Sequence, residues 1–342
     1  MAKFLYKILI FLVILKICDT LLSSFFFWSL QPKIALTEDI GSLNRMYHGE
    51  INADIVFFGS SRTSLHINPE IIQHTTGETA WNLGNDGSNF EQQELTLEDY
   101  LLYNKTPKLV AFEADLSSLD PSLLRFKTEL FLPYRNDSSN AFNLFNSSWD
   151  ESLYYWFFSS SVYKQQIPEI LVDYKNIFNR IKNGGNIVEP LKVSKVLTVN
   201  RPDYVLINGA QLKKGQVSGQ LPQTLPFPSP VIHFDLSQIT IRERKFDELM
   251  QFANNRGLIL VLIFPPYMKG EIDEEQRKTA IDFYLQLSRK YKNIYFLDYS
   301  QDSQLDNSLN FWWDGNHLNI KGANLFSREV GQELNQIIKS NK

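Results

Sequence analysis

The run LILVLIF, from Leu258 to Phe264, is apolar at every position. A strand that faces water on one side alternates apolar and polar residues, whereas a strand covered on both faces can be apolar throughout. Such doubly covered strands belong mainly to parallel sheets with helices on both sides. The run therefore predicts a central strand of an α/β domain.

Short apolar runs alternate with helical patterns over much of the chain after residue 51. Because a helix can return the chain between parallel strands, this alternation predicts an α/β fold, with an open, three-layer parallel sheet flanked by helices. The other predicted strands are Ile55–Phe58, TAWNLG from Thr79, KLVAFEAD from Lys108 and NIYFLDYS from Asn293.

The N-terminus predicts a membrane anchor, placed at residues 1–32. The stretch 4–30 is apolar except where Lys7, Lys16 and Asp19 interrupt it, and it exceeds the ~20 residues that cross a bilayer. Basic residues at its start predict a cytoplasmic N-terminus, and no A-x-A cleavage site follows. We expect a retained single-pass anchor with the remaining chain outside the cytoplasm. The alternative is an amphipathic or buried helix, because Lys16 and Asp19 are costly in lipid.

The α/β domain is expected to cover residues 51–342, with an insertion or cap at 120–230. Residues 31–50 are predicted to be a polar connector. Within 120–230 the strand–helix alternation lapses, the sequence is rich in Asn, Ser and aromatic residues, and one helix is predicted in QIPEILVDYKNIFNRIKN. We interpret its aromatic residues mainly as packing residues.

Charge and residue counts exclude several kinds of function. The net charge is −4, which argues against nucleic acid as a partner. The chain has one cysteine, and its five histidines show no paired spacing, so the sequence predicts neither a metal site nor a disulfide framework. We expect no cofactor.

Three predicted strand ends carry residues suited to chemistry, and sites in open parallel sheets lie at such carboxyl ends. A serine that attacks an ester needs a histidine to take its proton and a carboxylate to orient that histidine. Asp314 and His317 can present both groups to one strand end. The three segments are Gly59-Ser60-Ser61-Arg62, NLGNDGSN at 82–89 and FWWDGNHLNIKGA at 311–323.

In this order along the chain, the three segments resemble the SGNH (GDSL-like) hydrolases. FFGSSRT resembles their first block, where the serine of F-G-D-S-L is the nucleophile. NLGNDGS resembles the second block, N-x-G-x-x-G, and DGNHLNIKGA resembles the last, D-x-x-H. The resemblance covers about residues 54–326 and leaves the middle insertion unmatched. It implies a flavodoxin-like α/β fold and serine-based ester chemistry.

The resemblance implies a role for each matched residue. Ser61 falls on the nucleophile, His317 on the general base and Asp314 on the acid that orients it. The backbone N–H groups of Ser61 and Gly87 fall on the donors to the oxyanion. Ser60 stands where the family usually has aspartate.

One element of the family pattern is missing. The family's G-x-N-D block after the third strand supplies an asparagine side chain to the oxyanion, but here the stretch is FEADLSSLD. Asp115 stands near that place, and an anionic carboxylate there would oppose an oxyanion. Asn85 and Asn89 are the candidates for a substitute donor or for other substrate contacts.

Two further side chains are candidates for substrate binding. Arg62 follows the nucleophile and could bind an anionic group, or it could pair with a carboxylate inside the protein. Trp312 and Trp313 precede Asp314. Both indoles could stack on a sugar ring, with Trp313 the preferred candidate, and the alternatives for both are a pocket wall or packing on the cap.

The G-S-S turn, the missing asparagine and the N-terminal anchor together are similar to a narrower group, the membrane-anchored SGNH-like proteins of cell-envelope acylation. This group includes proteins of teichoic acid D-alanylation and alginate acetylation. The resemblance implies an extracytoplasmic serine esterase or O-acyltransferase of a bacterial envelope polysaccharide or polymer, working beside a membrane-bound O-acyltransferase. The alternatives are a hydrolase of lipid or peptidoglycan esters, and a catalytically weak scaffold or glycan-binding partner of such an acyltransferase.

Overall fold

The computed structural model describes two units of the chain. One comprises Met1–Glu50 with Lys127–Lys192, and the other comprises Ile51–Phe126 with Val193–Lys342. The described residues are 2–29, 38–122, 127–134, 198–200, 204–207, 209–214, 231–301, 303–306 and 309–341, with the segment 157–164 and single residues between 154 and 182.

The strands in chain order are β1 (Ile55–Phe58), β2 (Ala80–Asn82), β3 (Leu109–Glu113), β4 (Thr198–Asn200), β5 (Tyr204–Ile207), β6 (Ala210–Lys213), β7 (Ile259–Phe264) and β8 (Ile294–Asp298). The α-helices are α1 (Ala2–Ser29), α2 (Glu38–Tyr47), α3 (Ser61–His66), α4 (Pro69–Thr76), α5 (Phe90–Tyr103), α6 (Leu116–Leu119), α7 (Thr128–Phe131), α8 (Ile239–Asn255), α9 (Glu274–Ser288), α10 (Ser303–Asp306) and α11 (Ile320–Ser340). Short 3₁₀ helices cover Leu132–Tyr134, Ser159–Tyr163 and Leu309–Phe311.

A five-stranded parallel sheet in the order β2–β1–β3–β7–β8 forms the centre of the second unit. Ile55 lies opposite Leu109, and Leu109 lies opposite Ile259, so the carboxyl ends of β1, β3 and β7 share one edge. The strand order reverses between β1 and β3, which makes this edge the switch point where open α/β sheets bind ligands. The predicted parallel α/β sheet is confirmed.

Both faces of this sheet are covered by helices, as the all-apolar β7 predicts. On one face, Phe90 of α5 packs against Phe112 and against Phe246 of α8, with ring centroids 5.6 and 4.4 Å apart. On the other face, Phe326 and Val330 of α11 belong to the same buried cluster as alternate residues of β1, β3 and β7. The predicted three-layer arrangement is therefore confirmed.

The expected insertion at 120–230 is divided between the two units. Its later part contains an antiparallel sheet in the order β4–β5–β6, and Ile207, Ala210 and Leu212 of this sheet join the buried cluster of the α/β unit. Residues 127–192 group instead with the N-terminal residues. Most of the helix predicted in QIPEILVDYKNIFNRIKN lies outside the described residues.

The predicted polar connector at 31–50 is wrong in its second half, where the structure has helix α2. Leu43, Met46 and Tyr47 follow the three- and four-residue spacing of one helical face, and all three are buried. Tyr47 stacks on Tyr134 at 4.2 Å between ring centroids. A helix that is buried on several sides therefore replaces the second half of the expected connector, since Ser42, Asn44 and Arg45 are buried as well.

Helix α1 spans the predicted anchor. In the described part of the chain, one helix is long and apolar enough to cross a membrane, from Lys3 to Ser29, with a mean hydropathy of 2.2. Most of its large apolar side chains are exposed, including Phe11 at 62% and Leu21 at 67%. Length and composition thus allow this helix to span a bilayer.

Candidate active site

The turn after β1 brings Ser61 to the start of helix α3. Gly59 makes this sharp turn, and a Cβ added there would lie 1.9 Å from Oγ1 of Thr63. Only glycine therefore allows α3 to begin so close to the end of β1. As the first residue of α3, Ser61 also has an N–H group without an acceptor inside the helix.

Ser61, His317 and Asp314 form a continuous chain of contacts. Ser61 Oγ lies 2.9 Å from Nε2 of His317. On the other side of the ring, Nδ1 of His317 lies 2.9 and 3.0 Å from the two carboxylate oxygens of Asp314. With Nδ1–H donating to Asp314, Nε2 is positioned to accept the hydroxyl proton of Ser61.

The backbone of its own loop holds the Asp314 carboxylate in place. The N–H groups of Asn316 and His317 both donate to Oδ1 of Asp314 at 2.8 Å. Burial raises the pKa of Asp314, but the hydrogen bonds and charge of His317 and these backbone donors outweigh it and hold the pKa below its ordinary value. Asp314 is therefore an anion able to orient the imidazole.

His66, which the sequence argument did not single out, connects the two halves of this arrangement. It ends the same short helix that Ser61 begins, and it is fully buried. Its Nε2 accepts the N–H of Leu318, next to His317, at 3.1 Å. Burial, followed by the charges of His317 and Arg62, lowers the pKa of His66 well below its ordinary value. A neutral His66 thus links helix α3 to the loop that carries His317.

The burial of a neutral His66 makes the free energy of unfolding dependent on pH. Because His66 resists protonation when folded but not when unfolded, its contribution is complete above about pH 6.5 and is lost as the pH falls. We expect the unfolding free energy of the wild type to fall between pH 7 and 5 more steeply than that of His66→Gln, by up to ~1.4 kcal/mol per pH unit. Urea unfolding of the detergent-solubilised protein measures this, and exposed His74→Gln is the control. Equal slopes in the wild type and His66→Gln would contradict it.

Glu113, at the end of β3, stabilises the turn between β1 and α3 by accepting hydrogen bonds from Ser60 and Thr63. It is 2% exposed. The side chain of Ser60 donates to its Oε1 at 2.5 Å, and the N–H of Ser60 donates to Oε2 at 3.0 Å. The N–H and hydroxyl of Thr63 also donate to Oε2, at 3.0 and 2.7 Å. The hydroxyl of Ser60 is therefore engaged inside the protein, whereas that of Ser61 faces His317.

Asp115 stands in the region where the family's missing asparagine would be expected, but its carboxylate is fully buried and neutralised. One oxygen accepts from Ser117 at 2.7 Å and from the N–H of Ser118 at 3.0 Å, and this caps helix α6. The other oxygen pairs with Arg62 and accepts from Tyr267 at 3.1 Å. Arg62 and the hydrogen-bond donors around Asp115 thus balance its negative charge within the protein. This pairing does not favour the expectation that the carboxylate would oppose an oxyanion.

Arg62 is placed as the pairing partner of that carboxylate. The residue is 8% exposed. Its guanidinium pairs with Asp115, donates to Ser117 at 2.9 Å and lies 4.3 Å from the ring centroid of Tyr267. The proposed contact of Arg62 with an anionic substrate is therefore not favoured by its position, and the pairing alternative describes it.

The segment after β2 lies directly against the turn that precedes Ser61. Asn85 N–H and Ser88 Oγ both donate to the carbonyl of Gly59 at 2.9 Å. Gly87 has φ of 65°, in the left-handed region that favours glycine. Among described residues its N–H makes no hydrogen bond, and it is the second backbone donor expected from the sequence.

Asn85 and Asn89 differ in what their side chains do. Asn89 caps helix α5, because its Oδ1 accepts the N–H of Gln92 at 3.0 Å. Asn85 is 8% exposed, and in the described part of the chain its buried Oδ1 has no hydrogen-bond partner. This oxygen is an acceptor, and a buried acceptor left unsatisfied is costly unless a donor of a ligand, such as a hydroxyl group, completes it. Asn85 is therefore the better candidate for a substrate contact.

The two tryptophans before Asp314 are separated by burial. Trp312 is 1% exposed, belongs to the core and donates through Nε1 to the carbonyl of Leu305 at 3.1 Å. Trp313 is 37% exposed. Packing thus describes Trp312, whereas Trp313 remains a candidate substrate contact.

Over the residues that the structure describes, no group of three or more His, Cys, Asp or Glu side chains is placed to hold a metal ion.

The chain is similar in structure to a solved protein, but not to any family model or curated protein. No protein-family model matches the chain, and no curated protein matches it. Among solved structures, a lipase/acylhydrolase from Enterococcus faecalis aligns with 82% of this chain and 95% of its own chain, at 11% sequence identity and a TM-score of 0.39. The α/β assignment therefore rests on the strand order and register of this chain.

Proposed function

We propose that this protein is an SGNH-type serine esterase or O-acyltransferase. The observation that carries the proposal is the contact chain Ser61–His317–Asp314. It lies at the carboxyl ends of parallel strands, where open α/β sheets place their ligand sites. The motif resemblance of the three segments supports the same assignment.

The proposed reaction proceeds through an acylated Ser61. Ser61 Oγ attacks the carbonyl carbon of the ester while its proton passes to Nε2 of His317, and the carbonyl oxygen becomes an oxyanion. The intermediate collapses, the C–O bond of the ester breaks, and the leaving alcohol takes the proton from His317. Water or a sugar hydroxyl then attacks the acyl-serine and gives its proton to His317. The bond between Ser61 Oγ and the acyl carbon breaks, His317 returns the proton to Ser61, and the acid or the acylated sugar leaves, so hydrolysis and transfer share every protein group.

The oxyanion would accept from the N–H groups of Ser61 and Gly87, and we assign the third donor to Nδ2 of Asn85, a substitute that the sequence offers for the missing asparagine. Removing one such donor typically costs ~10²–10³ in kcat. We expect Asn85→Ala to lower kcat for ester hydrolysis by that factor with little change in KM. Steady-state kinetics with a p-nitrophenyl ester measure it.

Asn89→Ser is the matched control for Asn85→Ala. Serine keeps an oxygen that can cap helix α5 but removes the amide. Wild-type kinetics are expected for this variant. An Asn85→Ala enzyme with unchanged kcat would remove Asn85 from the oxyanion site.

The substrate and location are proposed from the anchor and the motif resemblance. Helix α1 would hold the protein in the membrane with its N-terminus in the cytoplasm, and Ser61 would act in the extracytoplasmic space of a bacterial envelope. An envelope polysaccharide or polymer is then the substrate, and a membrane-bound O-acyltransferase is the expected partner. Trp313 is available to stack on a sugar ring.

The alternative is a catalytically weak scaffold or glycan-binding partner of the acyltransferase. The specific observation in its favour is FEADLSSLD after β3, which has no asparagine for the oxyanion. This alternative keeps the fold and the anchor but predicts no acyl-enzyme.

A serine-reactive fluorophosphonate separates the two functions. We expect the detergent-solubilised wild type to be labelled, Ser61→Ala to remain unlabelled, and exposed Ser237→Ala to label like the wild type. Ser60→Ala should still label, because Ser60 donates to Glu113 and not to His317. Equal labelling of Ser61→Ala would reject Ser61 as the nucleophile. A folded wild type without labelling would favour the scaffold.

A further inference from the structure

Lys16 and Asp19, the two charged residues in the second half of α1, form hydrogen bonds with a 3₁₀ helix and the residues just before it, from a distant part of the chain. Asp19 Oδ2 accepts the N–H and hydroxyl of Ser159 at 2.8 and 2.7 Å. Asp19 Oδ1 accepts the N–H and hydroxyl of Ser160 at 3.0 and 2.6 Å. Lys16 Nζ lies 3.2 Å from Asp19 and donates to the carbonyl of Phe157 at 3.0 Å. These hydrogen bonds thus hold the segment 157–164 beside residues 16–19 of α1.

Residues 16–19 of α1 lie inside the hydrocarbon region if α1 spans a bilayer. The apolar helix has 27 residues, from Lys3 to Ser29, and is therefore about 40 Å long. A hydrocarbon core of about 30 Å leaves about 5 Å of helix outside at each end. Asp19 lies ten positions before Ser29, about 15 Å along the helix. Asp19 and its partners would then lie about 10 Å below the surface of the core.

Five backbone N–H groups of the segment have the acceptors that such a depth requires. In lipid every N–H group must be satisfied within the protein. The N–H groups of Ser159 and Ser160 are satisfied by Asp19. Those of Phe158, Ser161 and Lys164 donate to carbonyls within 154–161, at 2.7, 3.0 and 3.2 Å.

Aromatic side chains complete the surface that this segment shares with α1. Phe26 of α1 contacts Tyr163 with ring centroids 5.8 Å apart. Tyr154 and Phe158 point outward, with 51% and 36% of their surface exposed. The Ser159 and Ser160 hydroxyls therefore face α1, whereas Tyr154 and Phe158 face the surroundings. Lys164, at the end of the segment, is exposed, and its long side chain can extend toward water.

We propose that the segment 157–164 is embedded beside α1 in the leaflet nearer the C-terminal end of that helix, with Phe158 in contact with lipid acyl chains. The Asp19 carboxylate is the tether that holds the segment there. The inference rests on the membrane anchoring included in the proposed function and is independent of the chemistry of Ser61. The chain thus contacts the bilayer at a second place besides its anchor helix.

Spin labels on the full-length protein in phosphatidylcholine–phosphatidylglycerol vesicles test the depth. Cys18→Ser provides the background, and the labels replace Phe158 through Phe158→Cys, Phe11 of α1 through Phe11→Cys, and exposed Leu102 of α5 through Leu102→Cys. Oxygen enters lipid, whereas a water-soluble nickel chelate does not. We expect the Phe158 and Phe11 labels to collide with nickel about tenfold less than the Leu102 label, because polar solutes are excluded from hydrocarbon.

Two outcomes would overturn the inference. A Phe158 label as accessible to nickel as the Leu102 label, with the Phe11 label protected, would place the segment in water beside a normal anchor. A Phe11 label that is also accessible would show that α1 does not insert, and the inference falls with the anchor. Fluorophosphonate labelling of Ser61 is a separate measurement, so a failure of the chemistry is distinguishable from both.

Asp19→Ala tests the tether without replacing an aromatic residue of the segment. It removes the acceptor of four hydrogen bonds from Ser159 and Ser160 and of a fifth from Lys16. We expect the Phe158 label to become as accessible to nickel as the Leu102 label, while the Phe11 label stays protected. A Phe158 label that remains protected in Asp19→Ala would refute Asp19 as the tether.

Discussion

The His317→Ala variant is expected to lose about 10⁴-fold or more of the wild-type esterase rate. The imidazole lies 2.9 Å from Ser61 Oγ, and without it no described side chain takes the hydroxyl proton. The loss should appear in kcat, because His317 acts on the reacting atoms. Hydrolysis of a p-nitrophenyl ester by the detergent-solubilised protein measures it.

The matched control for this variant is His74→Ala. His74 lies in α4 and is exposed, so its removal should leave the rate unchanged. A His317→Ala enzyme that retains more than about a tenth of the wild-type rate would contradict the proposed base.

The Arg62→Met variant is expected to lose about 3–5 kcal/mol of unfolding free energy at pH 7, since it leaves buried carboxylates without their cation. Arg62 pairs with Asp115, and its Nε lies 4.0 Å from Glu113, whose side chain is 1% exposed. Methionine fills a similar volume, so the lost pairing and not a cavity dominates the effect. Chemical unfolding of the two detergent-solubilised proteins gives the difference.

The deficit of Arg62→Met should shrink as the pH is lowered. Burial, followed by the charge of Asp115, raises the pKa of Glu113 even in the wild type. A group whose pKa is raised on folding contributes stability fully below its unfolded pKa of about 4.3 and loses it as the pH rises through the folded pKa. Removing Arg62 takes away a charge that opposes this shift, so we expect a smaller deficit at pH 5 than at pH 7.

Exposed Arg244→Met is the control for that comparison. The Arg244 side chain is 72% exposed, and its loss should change stability by no more than about 0.5 kcal/mol. An Arg62→Met deficit that is the same at pH 5 and 7 would show that the buried carboxylates do not respond to the missing charge.

Local patterns in the sequence predicted the sheet and the candidate triad. The all-apolar β7 requires helices on both faces, and both helix layers are present. Asp314 and His317 belong to one loop, so their spacing already allowed the contact that the structure shows. Ser61 was preferred to Ser60 by motif position, and the structure places Ser61 against His317 and Ser60 against Glu113.

Long-range contacts could not be predicted in the same way. Glu113 supports the turn of Ser60 and Thr63 because β1 and β3 are neighbours in the sheet. The buried carboxylate of Asp115 has a cation beside it only because the fold brings Arg62 there. Neither the periodicity of a segment nor the spacing of its residues indicates which distant residues form such pairs.

The sequence by itself determined the parallel α/β sheet, the apolar helix at the N-terminus and the three segments that carry the candidate site. These features depend on residues close together in the chain, through side-chain periodicity and turn chemistry. Only the tertiary structure decided how buried charges are satisfied, in Arg62 with Asp115 and in Asp19 with Ser159. Burying a charge is favourable only with a partner, and the partner is chosen by the packing of distant segments.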